Sequence, residues 1–174
     1  MKSILLFGLI QCTAFVGYAQ LEFIDKAQNL YIEGKYSEAK KEYQKFADTN
    51  MLCAHYVLLM DFNLGNYKTV IEQIDSLYWP TGFEKNQGYN FEPNVQKAKC
   101  YYALGKYEMA FEFALAALSA EYSFLLPRSS RTEMLRICGI HYWQEKNFDS
   151  ARVCYGRILA LEPYNLEIAT YYSR

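Results

Sequence analysis

The sequence lacks most of the features that indicate a chemical function. It has two histidines, no Gly-rich phosphate loop, no G-x-S-x-G elbow and no H-E-x-x-H motif. Its longest basic run is Lys40-Lys41 and its formal net charge is −1, which argues against a nucleic-acid partner. We therefore expect a protein that is not an enzyme, uses no cofactor and has no catalytic or metal-binding residues.

Closely spaced cysteine pairs are also absent. Beyond the first 19 residues the sequence has Cys53, Cys100, Cys138 and Cys154, each among apolar neighbours in an apparent helix. This context favours buried thiols over a disulfide framework, although Cys138 and Cys154 lie on the two arms of one predicted hairpin and a bridge between them stays open. Cys138 and His141 are spaced to share a helix face, but without a second ligand pair a metal site is disfavoured.

The only long apolar run, from Ile4 to Val16, is shorter than the roughly 20 residues that span a bilayer. With Lys2 before it and Gly17-Tyr18-Ala19 after it, the pattern predicts a signal peptide over 1–19, cleaved after Ala19. Gln11 precedes Cys12 where a lipoprotein signal needs a small residue, so an outer-membrane lipoprotein is disfavoured. We expect a periplasmic or secreted protein with no membrane span in the mature chain.

The sequence does contain a hinge that recurs four times. Gly34-Lys35-Tyr36 opens the first copy, and the other copies begin at Gly65, Gly105 and Lys146. In each copy a residue suited to positive φ ends one helix, an aromatic residue follows, and a small or branched residue lies on the next helix. A spacing of 31 to 41 residues between copies predicts a stack of helical hairpins.

Further side chains support the hairpins. Ser37 is expected to cap the second helix and Asn165 the last one. Small residues lie at matched positions of three predicted hairpins, so that their helices can approach closely: Ala27 with Ala39, Ala98 with Ala110, and Gly139 with Ala151.

The hairpins resemble tetratricopeptide repeats (TPR), which have a period of about 34 residues. The fourth copy matches best, with Leu135, Gly139 and Tyr142 in its first helix, Tyr155 in its second and Pro163 at its end. Lys146 in place of the hinge glycine, and Asp61 at a position that is normally aromatic, depart from the pattern.

The resemblance implies an all-α fold, a right-handed superhelical solenoid of stacked antiparallel helix hairpins. The predicted organisation after the signal peptide is four hairpins over 20–165 and a short C-terminal helix over 166–174. The hairpins are predicted at 20–50, 51–90, 91–131 and 132–165.

In proteins of the resembled family, the first helices of the hairpins line a groove that binds a partner. Four aromatic residues, each three positions before a hinge, are predicted to form a ladder in this groove: Tyr31, Phe62, Tyr102 and Trp143. Aromatic side chains are typical interface anchors, although packing between hairpins as core is the alternative. The same face carries six further candidates: Gln28, His55, Leu59, Lys99, Arg136 and Ile140.

The resemblance implies a scaffold that binds a protein or peptide. The Lys and Asn clamp with which some family members hold a chaperone's carboxyl end is absent, because Ile24 and Gln28 occupy its leading positions. We therefore expect apolar docking of a peptide, with Lys99 and Arg136 able to meet an acidic group. The alternative is a sensing or docking segment of a larger envelope assembly or signalling protein. Self-association through the apolar C-terminal helix is a further possibility.

Overall fold

A computed structural model describes residues 25–78, 91–119 and 126–173, and every regular element in these ranges is an α-helix. The chain divides into two compact units, with the boundary between Asn66 and Tyr67. The predicted signal peptide lies outside the described residues. The boundary falls within the predicted second hairpin, so the division into four hairpins stays a prediction and each unit is described by itself.

The first unit contains three described helices: α1 (25–32), α2 (Tyr36–Gln44) and α3 (Met51–Asn63). Ala27 of α1 and Ala39 of α2 are fully buried, as expected for a close approach of the two helices. Tyr43 stacks on Tyr56 of α3 with ring centroids 4.7 Å apart. Burial of this apolar surface holds the three helices together.

A buried carboxylate occupies the position where the resembled family has an aromatic residue. Asp61 on α3 is 1% exposed. It accepts hydrogen bonds from Lys40 Nζ at 2.6 Å and from Asn66 Nδ2 at 2.8 Å. A buried charge needs such partners, so the missing ring is replaced by a polar link between α2 and α3.

The second unit contains six described helices, each packed against the next. They are α4 (Tyr67–Tyr78), α5 (Phe91–Ala103), α6 (Tyr107–Ser119), α7 (Arg128–Gln144), α8 (Phe148–Leu161) and α9 (Leu166–Tyr172). Ala98 and Ala110, predicted to be the close-contact pair of the third hairpin, are both fully buried. Cys100, Cys138 and Cys154 are buried free thiols, as is Cys53 in the first unit.

The four hinges adopt the predicted backbone conformation. φ is +74° at Gly34, +80° at Gly65 and +72° at Gly105, and Lys146 reaches +60° without being a glycine. A side chain in this region costs roughly 1–2 kcal/mol. The hinge geometry is therefore kept in the fourth copy even where the residue that favours it is missing.

The cap predicted at Asn165 is confirmed and the one at Ser37 is wrong. Asn165 Oδ1 accepts a hydrogen bond from the Ile168 backbone N–H at 3.1 Å. The N-cap of α2 is Lys35, which makes no side-chain cap hydrogen bond, so Ser37 lies inside the first turn. The helix begins earlier because the Lys35 carbonyl already accepts the Ala39 N–H at 2.9 Å.

The C-terminal helix packs against the hairpin before it. Ile168 of α9 is 2% exposed and lies in one buried cluster with Leu135, Tyr155 and Ile158. The buried side of α9 therefore docks onto α7 and α8. Where α9 packs on α7 and α8, the three helices enclose a cavity.

Candidate functional site

At three hinges, the aromatic residue before the hinge packs on the aromatic residue within it. Trp143 meets Phe148 with ring centroids 5.0 Å apart at 69°, and Tyr102 meets Tyr107 at 5.3 Å and 66°. In the first unit, Tyr31 contacts Tyr36 at 5.9 Å. The first two pairs have the edge-to-face arrangement that aromatic rings favour, and all three pack a candidate groove residue against its own hinge.

All four predicted ladder rings are half-buried. Each ring packs against its neighbours and keeps part of its surface exposed. The rings therefore contribute to the core and also leave surface that a ligand could contact. In the first unit, Gln28 is exposed while His55 and Leu59 are half-buried. Because the ladder is distributed over both units, its continuity stays a prediction.

In the second unit, three of the predicted residues line one cavity of about 280 Å³. We call it the α7–α9 pocket. Its lining comes from three helices: Arg136, Ile140, Trp143 and Gln144 of α7, Tyr155 of α8, and Glu167, Ile168 and Tyr171 of α9. Arg136, Ile140 and Trp143 recur at helical spacing along α7, so they share one face of the helix.

Three rings form the aromatic wall of the pocket. Tyr171 lies 6.3 Å from Trp143 and 5.7 Å from Tyr155, centroid to centroid. Burial, with a smaller contribution from Tyr171, raises the pKa of Tyr155 to about 12. The Tyr155 phenol is therefore neutral at physiological pH, and the wall presents the apolar faces of the three rings.

The two predicted cations of the groove have different surroundings. Lys99 Nζ lies 2.8 Å from Glu133 Oε2, which joins α5 to α7 and neutralises the lysine. Arg136 lies one turn beyond Glu133 and forms no ion pair with any carboxylate in the described part of the chain. Arg136 is thus a positive charge of the pocket lining without a described ion-pair partner, and Glu167 provides an opposite charge there.

The sequence reasoning missed the residues that α8 and α9 contribute. Glu167 and Tyr171 are four residues apart, so they share a helix face, and that spacing was the available signal. The C-terminal helix was predicted to take part in self-association, not to line the groove. Tyr155 reaches the pocket through tertiary packing, which helical periodicity does not reveal.

The histidine considered for metal binding has a packing role. His141 stacks on Phe111 with ring centroids 3.8 Å apart, and its Nδ1 lies 3.7 Å from Glu108 Oε2. Cys138 belongs to the buried core cluster of the same unit. Within the described ranges, no group of three or more His, Cys, Asp or Glu side chains is placed to hold a metal ion.

Among the described helices, none is both long enough and apolar enough to cross a bilayer.

Comparisons with known proteins give a structural likeness only. No family model matches the chain, and no curated protein matches it by sequence. The chain is similar to a solved structure described as "MamA RS-1 ArsTM double mutant", with a TM-score of 0.65 and 14% identity over 86% of this chain and 79% of that one. A thermophilic TPR protein of Thermus thermophilus, TTC0263, aligns with a TM-score of 0.45 and 14% identity over 88% of this chain and 96% of that one. At such identities a likeness shows the fold alone, and that fold is all-α and tetratricopeptide-repeat-like.

Proposed function

We propose that this protein is an exported scaffold that binds a peptide or protein partner through the α7–α9 pocket and the neighbouring surface of α5. The observation that carries the proposal is the pocket itself: three aromatic rings and one cation without a described ion-pair partner converge on a cavity of about 280 Å³. Aromatic anchors and arginine are the side chains enriched at binding hot spots.

The pocket has the size of a side-chain receptor. Small-molecule pockets are commonly roughly 300–1,000 Å³, so this cavity suits one or two apolar side chains of a peptide. Trp143 and Tyr171, which keep part of their surface exposed, offer contact area at a low cost in side-chain entropy, and the buried Tyr155 supports them from below. Arg136 is placed to bind a carboxylate next to the inserted side chain, since a guanidinium pairs with a carboxylate in a bidentate manner.

The binding proposal is tested by selecting, from a library of peptides with acidic and apolar residues, those that bind the purified chain. We expect selected peptides to carry an aromatic or leucine residue near an aspartate or glutamate. Trp143→Ala should abolish measurable binding, and Arg136→Gln should weaken it about tenfold, or ~1.4 kcal/mol.

Tyr164→Ala is the matched control. Tyr164 is 94% exposed and lies outside the α7–α9 pocket, so its loss should leave the affinity unchanged. Circular dichroism of each variant separates loss of binding from loss of fold. Equal affinities for wild type and for the Trp143→Ala and Arg136→Gln variants would refute the pocket as the binding site.

Export is a separate part of the proposal and rests on the sequence of residues 1–19. A bacterial host should deliver the chain to the periplasm or medium with Gln20 as its first residue, which intact-mass measurement detects. A cytoplasmic product that retains Met1 would contradict export and leave the binding proposal standing.

Self-association through α9 is a further proposal, supported by the exposure of Leu166 (81%) and Tyr172 (43%). Sedimentation over a range of protein concentrations should show a dimer that Leu166→Glu removes. A sedimentation coefficient independent of concentration would rule it out.

A further inference from the structure

A second cavity lies between α6, α7 and α8, on a different face of α7 from the α7–α9 pocket. Its volume is about 330 Å³. We call it the thiol pocket, because Cys138 and Cys154 line it. On α7 it uses Leu135, Cys138 and Tyr142, whereas the other pocket uses Arg136, Ile140, Trp143 and Gln144. The two cavities share no residue, so the peptide-binding proposal does not account for this one.

The thiol pocket is lined mainly by apolar side chains, and Ser119, Tyr142 and Ser150 add hydroxyl groups. Burial raises the pKa of the Cys138 thiol to about 12, and Cys154 beside it adds to the rise while Arg157 opposes it. Both thiols are therefore protonated at neutral pH and act as small hydrophobic groups. At the rim, Leu115 is 44% exposed and Val153 is 62% exposed. Large apolar side chains exposed beside a cavity are a sign of a binding site.

One charged side chain lines this apolar pocket. Arg157 of α8 is exposed and forms no ion pair with any carboxylate among the residues that the structure describes. An arginine without such a partner at the edge of an apolar cavity complements a ligand that has an apolar body and one anionic end. A carboxylate suits it best, because it can accept two parallel hydrogen bonds from the guanidinium.

We propose that the thiol pocket binds a small carboxylate amphiphile, with its apolar chain between α6 and α8 and its carboxylate on Arg157. The volume limits the ligand, since about 330 Å³ is near the lower end of small-molecule pockets, roughly 300–1,000 Å³. A single short chain fits this space, whereas the two chains of a phospholipid do not. The ligand is therefore a free single-chain acid rather than a membrane lipid.

The test uses decanoate as the probe, with decanol as the uncharged and decyltrimethylammonium as the cationic analogue, in calorimetric titrations of the purified chain. We expect decanoate to bind one to one and both analogues to bind at least tenfold more weakly. Arg157→Gln should reduce decanoate affinity about tenfold and leave decanol affinity unchanged.

Arg152→Gln is the matched control, because Arg152 is an exposed arginine of the same helix that does not line the pocket. It should bind decanoate as the wild type does. Val153→Trp fills the rim and should abolish binding of decanoate, while Trp143→Ala, which alters the other pocket, should leave it intact. Methyl signals of Leu115 and Val153 should shift in the wild-type chain on titration.

Several results would overturn the proposal: no binding up to the solubility limit of decanoate, equal losses in Arg157→Gln and Arg152→Gln, or unchanged binding in Val153→Trp. Co-flotation of the chain with phosphatidylglycerol vesicles, removed by Arg157→Gln, would assign the site to a membrane lipid and would also overturn it.

Discussion

The ring of Tyr155 lies directly over Gly139, where α8 crosses α7. A Cβ placed on Gly139 would come within 2.6 Å of Tyr155 Cε1, closer than real Cβ atoms approach a neighbour. Any shift of the ring would disturb core packing, because Tyr155 is 2% exposed and belongs to the buried cluster that includes Ile158 and Ile168. The smallest residue is therefore a condition for the close contact between these two helices.

Gly139→Ala should lower the free energy of unfolding by about 1–3 kcal/mol, the usual cost of overpacking, even though alanine is the better helix former. Gly156→Ala is the control. Its Cβ would meet Tyr172 Cε2 at 3.2 Å, and that ring is 43% exposed and can move. We expect the control to be neutral or stabilising by up to ~1 kcal/mol in urea unfolding. Similar losses in both variants would contradict this account.

Lys146→Gly should stabilise the protein by up to about 1 kcal/mol, because glycine adopts a positive φ without the steric cost that lysine has. Part of the gain is offset by the greater freedom of glycine in the unfolded chain. Gly105→Ala, the reverse change at an equivalent hinge with φ of +72°, should destabilise it. Thermal unfolding of the two variants measures the contrast, and an unchanged or lower midpoint for Lys146→Gly would show that its φ is not strained.

The Lys40–Asp61 pair should behave as a buried ion pair. Lys40→Met should cost roughly 3 kcal/mol, because it leaves Asp61 buried without a counter-charge. The double variant Lys40→Met with Asp61→Leu should regain most of that stability, since an apolar pair of similar volume often replaces a buried ion pair without loss. A double-mutant cycle gives the coupling energy, and additive effects would mean that the two side chains do not interact.

Stability should fall in alkaline solution. The pKa of Cys138 is raised from 9.0 to about 12 in the folded state, so above pH 9 the unfolded chain releases a proton that the folded chain retains. The contribution of the protonated Cys138 thiol to the free energy of unfolding is fully present below pH 9. It is lost progressively as the pH rises towards 12.

The slope of unfolding free energy against pH between pH 9 and 11 tests this expectation. Cys138→Ala should make the slope shallower, whatever its effect on the stability at neutral pH. The raised pKa values of Tyr43 and Tyr155 leave a residual slope in that variant. An unaltered slope would indicate that the thiol titrates alike in both states.

Local signals in the sequence identified the hinges and one of the two predicted caps. Gly34, Gly65 and Gly105 marked the hinges because backbone conformation depends on the residue at the hinge itself, and Asn165 marked a cap for the same reason. Ser37 failed because a cap depends on where the first turn closes, and the Lys35 carbonyl closed it two residues earlier.

The candidate site was predictable only in part. Arg136, Ile140 and Trp143 share a face of one helix, so periodicity found them. Tyr155 and Tyr171 join them through the docking of α9, and the pairing of Lys99 with Glu133 depends on how α5 packs against α7. Contacts between helices are set by side-chain shape and by the fold as a whole, which a repeat pattern does not specify.

The ring pairs across the hinges also bear on how the chain folds. Tyr102 and Tyr107, like Trp143 and Phe148, are five residues apart, so little loop-closure entropy is lost when they meet. Such local contacts can form in microseconds, before helices that are distant in the sequence pack together. Each hinge can therefore nucleate the two helices that it joins. Folding of the second unit can start at more than one point along the chain.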